Sequence, residues 1–217
     1  MHLLFVVVAL ATMVASAIAH PFSTGPSLIR VIGKTNSSLD GYAIICNGGS
    51  GGKGLCYDEK VPGNYLLSRF YYNYSIDTYG TRLGIITYNL NSTSPKDAPA
   101  LHLGVQLQGS PGSNINPASI SPDLENSNTF WVDDNDKFYI GNIRDDTYWN
   151  ETAPSFRGDR NLSNFHLCWQ WVGSYWRHSV AWATTLPPQN PSCQPVDLRL
   201  VVNTNSTSAG IPKIESD

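Results

Sequence analysis

Apolar and polar residues alternate along this chain in short runs, with Gly, Pro, Asn and Ser crowded into the gaps. The runs are LIRVIG (28–33), YAIIC (42–46), LGIITYNL (83–90), LHLGVQL (101–107), TFWV (129–132), KFYI (137–140), FHLCWQW (165–171), YWRHSVAWA (175–183) and VDLRLVV (196–202). A period of two over four to nine residues, bounded by turn formers, is the pattern of half-buried strands, and no stretch holds a helical period. The pattern predicts an all-β fold, an antiparallel sandwich or barrel with long loops, with a β-trefoil as the alternative. The segments 108–128 and 142–164 read as long loops, where function tends to sit on a rigid β scaffold.

Two hairpins follow from the turn residues. Gly173-Ser174 forms a two-residue connection that sets Val172 opposite Tyr175, Trp171 opposite Trp176 and Trp169 opposite His178. One face then carries Phe165, Leu167, Trp169, Trp171, Trp176, His178, Val180 and Trp182. So long an apolar face is expected to be core, with His178 a hydrogen-bonded core histidine. The other face carries His166, Cys168, Gln170, Arg177 and Ser179. A second hairpin turns through Asp133-Asp134-Asn135-Asp136 and would pair Trp131 with Phe138.

The amino-terminal pattern is different. An uncharged apolar stretch from Leu3 followed by small residues reads as a secretory signal peptide over residues 1–19, with small-x-small sites that start the mature chain at Ile18 or His20. Residues 20–203 would then form a single all-β domain, and the polar segment 204–217 a disordered tail. No later run is long enough to span a bilayer. A net charge of −3 gives no basic surface for nucleic acid or acidic membrane.

Entry to the secretory pathway changes how several residues read. Asn36, Asn73, Asn91, Asn150, Asn161 and Asn205 fit the N-glycosylation sequence. Cys46, Cys56, Cys168 and Cys193 are expected as disulfides; of three connectivities, Cys46–Cys56 with Cys168–Cys193 is favoured because each pair brackets a local loop.

Candidate chemistry is thin. Gly48-x-Ser50-x-Gly52 matches a hydrolase elbow, but a glycine run between cysteines, with no helix after it, reads as a flexible loop. Asp133 to Asp136 lack the glycine and distal glutamate of a calcium loop. Glu125, Asp145, Asp146, Glu151 and Asp159 are the carboxylates from which a glycosidase pair would be drawn. Arg157-Gly158-Asp159 matches an integrin-binding tripeptide that an exposed charged loop explains equally well. A mature amino terminus at His20 would offer an amine and an imidazole to copper, with His102 or His166 as the remaining imidazole, but the expectation is no metal and no cofactor. Trp131, Trp149, Tyr71, Tyr72, Tyr74 and Tyr79 remain as possible sugar platforms.

The carboxy-terminal half, from FWVDDNDKFYIGN through FHLCWQW and YWRHSVAWA to NPSCQPVDLRLVV, resembles the small secreted fungal proteins that include the phialide-type cell-wall proteins. The resemblance implies an extracellular or wall-associated β-domain with no established catalytic activity; it carries over no catalytic residues and supports pairing Cys168 with Cys193. The expected function is therefore that of a secreted glycoprotein that binds cell-wall polysaccharide or an extracellular protein. The alternative is a secreted carbohydrate-active enzyme, oxidative through His20 or hydrolytic through loop carboxylates.

Overall fold

The computed structural model describes residues 22–47, 53–60, 67–90, 101–109, 111–145, 157–172 and 174–202, with no side-chain description for Asn47, Leu90, Leu101, residues 141–145 and 157–161, or Val202. The expected signal peptide (1–19), His20, Ser50, Asn91, Asp146, Trp149, Asn150, Glu151, Asn205 and the expected tail (204–217) lie outside the described residues, as do the side chains of Asp145, Asp159 and Asn161.

Among the described residues, thirteen antiparallel strands join in one sheet. They are β1 (Phe22–Gly33), β2 (Gly41–Asn47), β3 (Lys53–Asp58), β4 (Phe70–Ile76), β5 (Arg82–Leu90), β6 (Leu101–Leu107) and β7 (Ile115–Ser121), followed by β8 (Thr129–Val132), β9 (Phe138–Asp145), β10 (Arg157–Leu162), β11 (Phe165–Val172), β12 (Tyr175–Ala183) and β13 (Gln194–Val202). A 3-10 turn, Ser37–Leu39, links β1 to β2. The ladder runs from β5 through β4, β1, β13, β11, β12, β7 and β6 back to β5, so the sheet closes on itself. The β2–β3 hairpin bridges β1 to β12, and β8, β9 and β10 extend outward from β5. The all-β expectation holds in its sandwich-or-barrel form; the pairings do not recur with the four-strand period of a trefoil.

Closure explains the core. Alternate residues of each strand point inward, and Ile29, Val31, Phe70, Tyr72, Phe130, Val132, Phe138, Phe165, Leu167, Val180, Trp182, Val196, Leu198 and Leu200 are all buried. Tyr72 brings a hydroxyl inside, where it donates between the carbonyls of Arg82 and Phe130. Burial raises its pKa far above the ordinary phenol value, so it stays a neutral donor.

Two predicted loops contain strands. The 108–128 segment holds β7, with Pro117 opposite Ala181 of β12; the 142–164 segment holds the end of β9 and all of β10. β10 ends the strand order, and its polar sequence RGDRNL suits an edge. The Arg157-Gly158-Asp159 tripeptide thus opens a strand rather than a loop, with Arg157 opposite Asp145. β1 starts at Phe22, ahead of the predicted run, and shifts register against β4 between Thr24 and Ser27. Gly25 sits there at φ 153°, and a Cβ on it would lie 2.7 Å from the Phe70 carbonyl oxygen, so glycine alone fits the crossing.

The β8–β9 hairpin differs from expectation by one residue. Its connection includes Lys137, and Trp131 lies opposite Tyr139, with Val132 opposite Phe138. Asp136 adopts φ 58° after a turn closed by Asp136 N–H to the Asp133 carbonyl, and Lys137 bridges to Arg199 of β13. The extra residue returns Phe138 to the core side and leaves Trp131 on the other face.

Candidate functional site: the overhanging aromatic hairpin

The β11–β12 register is the predicted one, from Val172 opposite Tyr175 to Phe165 opposite Trp182. The expectation that the whole aromatic face is core does not hold. Phe165, Leu167, Val180 and Trp182 enter the core, but Trp169, Trp171 and Trp176 are 46%, 59% and 58% exposed, and His178 is exposed as well. The cause is the extent of the neighbouring strands. β13 pairs with β11 only at His166 and Leu167, and β3 meets β12 only at Ser179. Beyond those positions the hairpin outruns the barrel, and its apolar stripe continues into solvent.

A free two-stranded hairpin is marginal by itself, and three features hold this one. Cross-strand rings lock together: Trp171 meets Trp176 edge to face at 5.6 Å, and Trp169 meets His178 at 4.5 Å. The free edge of β11 is capped by the 190–193 segment, whose Ser192 Oγ accepts from Trp169 N–H at 2.9 Å and whose Asn190 Nδ2 donates to the Trp169 carbonyl at 3.1 Å. The Cys168–Cys193 disulfide ties that segment down. On the opposite face, Val172 rests over Gly54, beside the Cys46–Cys56 disulfide that clasps β2 to β3. A Cβ on Gly54 would lie 2.6 Å from Val172 Cγ1 and 3.2 Å from Cys46 Sγ. Gly54→Ala is therefore expected to cost about 1–2 kcal/mol by overpacking, measured by urea unfolding. An unchanged midpoint would show that the hairpin does not rest there.

Among the described residues of the hairpin, the aromatic face carries no charge at neutral pH. Arg177 projects to the other side, over the ring of Tyr175. His178 lies against Trp169 and within 6.3 Å of the Tyr57 ring of β3. Although the residue is exposed, that desolvation lowers its pKa below the ordinary histidine value.

The other candidates are dispersed. His102 lies exposed on β6 with Nδ1 2.7 Å from Asn89 Oδ1, and His166 is buried on β11 with Nδ1 bonded to the Asn164 carbonyl. Burial lowers the His166 pKa. Those strands are not neighbours, and among the described residues no three His, Cys, Asp or Glu side chains are grouped to hold a metal. In the 133–136 turn, Asp133 Oδ1 accepts from the amides of Asn135 and Lys137, Asp133 Oδ2 from the Tyr139 hydroxyl, and Asp136 Oδ1 pairs with Arg82. These carboxylates organise the turn. Glu125 stands exposed in the segment before β8. The tyrosines do not form a platform: Tyr72 is core, Tyr74 stacks on Tyr72 at 5.0 Å and on Phe22, Tyr71 faces away, and Tyr79 stands alone in a turn.

No described helix is long and apolar enough to cross a membrane. No family model, curated protein or solved structure matches the chain.

Proposed function

We propose that this is an extracellular or wall-associated glycoprotein that acts by binding polysaccharide through the exposed β11–β12 aromatic face. The observation that carries the proposal is the cluster of Trp169, Trp171 and Trp176, half exposed on one face of a braced hairpin. A pyranose presents an apolar C–H face and a rim of hydroxyls. An edge-to-face indole pair offers the matching surfaces: one ring face for stacking, beside another ring's edge, where N–H groups can donate. The absence of charge from the face favours a neutral ligand, and the bracing by the 190–193 segment and Gly54 limits the ordering cost of binding. The two disulfides and the sequons are compatible with an extracellular setting.

The test is co-sedimentation of the folded protein with insoluble chitin, β-1,3-glucan and cellulose. Retention on at least one is expected, with Trp171→Ala weakening it about 10-fold, equivalent to about 1.4 kcal/mol. Circular dichroism should be unchanged by the substitution. No retention on any of the three, or retention indifferent to Trp171→Ala, rejects polysaccharide as the ligand.

A further inference from the structure

We infer that Asn36 is a glycan attachment site and that Asn73 is not, although both fit the same sequence rule. The inference rests on the extracellular proposal, since attachment requires passage through a secretory compartment.

Asn36 caps the exposed 3-10 turn Ser37–Leu39. Its Oδ1 accepts from the backbone N–H of Ser38 at 3.0 Å and from the Ser38 hydroxyl, the sequon's own hydroxyl, at 2.7 Å. Both side-chain bonds pass through oxygen, and among the described residues Nδ2, the atom that takes the sugar, has no hydrogen-bond partner. A glycan on Nδ2 therefore costs the fold no hydrogen bond and leaves the turn intact.

Asn73 sits within β4, paired with Ser23 on one side and Ile85 on the other. Its Nδ2 donates to Thr87 Oγ1 at 2.8 Å, and Thr87 is only 3% exposed. A sugar on that nitrogen would replace one of its two hydrogens and set a bulky ring beside nearly buried Thr87, crowding or breaking the bond the remaining N–H can make to the Thr87 hydroxyl. A chain carrying a sugar there would have to fold around it, so the folded, secreted protein is expected to carry none at Asn73.

The chemistry is a displacement on a polyprenyl-pyrophosphate-linked oligosaccharide. Asn36 Nδ2 forms a bond to the anomeric carbon, the bond from that carbon to the phosphate oxygen breaks with its electron pair, and polyprenyl pyrophosphate leaves. The amide proton passes to a base of the transferase.

The placement fits the proposed contact surface. Lys34 Nζ bonds the Ser163 carbonyl just before β11 begins, so Asn36 stands by the base of the β11–β12 hairpin. Trp171 lies six residues along the strand from its start at Phe165, about 20 Å from that base at the rise of an extended chain.

The experiment is glycopeptide mass spectrometry on the full chain secreted from a eukaryotic host, with and without amidase release of the sugars. Near-complete occupancy at Asn36 and none at Asn73 is expected, and Asn36→Gln and Ser38→Ala should each remove one glycan while leaving polysaccharide retention unchanged. A bare Asn36 beside glycans on other sequons overturns the inference and leaves the extracellular proposal standing. Bare asparagines at every sequon overturn both the inference and the glycoprotein reading of the proposed function. A glycan on Asn73 in the folded protein overturns the distinction between the two sites.

Discussion

Trp182→Ala is expected to cost about 3–5 kcal/mol of folding stability, while Trp171→Ala costs less than about 1 kcal/mol. The two tryptophans share a hairpin and a face. Trp182 is 4% exposed and packs edge to face on Phe165 at 5.1 Å, deep in the core that the closed sheet encloses. Its truncation removes a large apolar surface and opens a cavity that the surrounding strands cannot collapse to fill. Trp171 is 59% exposed and loses mainly its contact with Trp176. Urea unfolding of both variants, followed by far-ultraviolet circular dichroism, measures the contrast. Equal losses would mean that the overhanging face is packed in solution, as it would be against a second copy, and would remove the free surface on which the proposed function depends.

That contrast also marks what the sequence could reveal. Parity along β11 and β12 follows from a two-residue connection, because a slip of one residue would exchange the faces. The pairings Trp171 with Trp176 and Trp169 with His178 were therefore legible. Their exposure was not, because it depends on where β13 and β3 stop, and nothing in FHLCWQW encodes the length of a neighbour. The same limit explains the β8–β9 hairpin, whose register depends on Lys137 bridging to Arg199, more than sixty residues away in sequence. β7 was hidden by Pro117, which interrupts a strand pattern, and β10 by its charged, edge-like composition. The disulfides were legible because each closes a local loop, Cys46–Cys56 across a hairpin and Cys168–Cys193 across the segment leading into β13.

Asp197 is the other position where a single change should be felt strongly. Its carboxylate lies on the outer face of β13, 3.1 Å from Lys34 Nζ and 3.0 Å from Lys137 Nζ, with the Ser163 hydroxyl donating to the same oxygen. One group thus joins the end of β1, the β8–β9 turn and the approach to β11. Its side chain is 19% exposed. Burial by itself pushes the carboxyl pKa up, but hydrogen bonds and attraction from the two ammonium groups outweigh it, and the net shift is downward. The stabilisation is therefore complete above the unfolded-state value of about 3.9 and is lost as pH falls through the lower folded-state value. Asp197→Asn removes the charge at nearly constant shape and leaves two ammonium groups facing each other across a neutral amide. The expected cost at neutral pH is about 2–3 kcal/mol, less than for a fully buried pair because the site is partly hydrated. As pH falls, the wild-type carboxyl takes up its proton and comes to resemble the amide, so the two unfolding curves should converge below the folded-state pKa. Denaturation at a series of pH values reads this directly. A difference that stays constant from neutral to strongly acid pH would show that the charge of Asp197 does not hold these strands together.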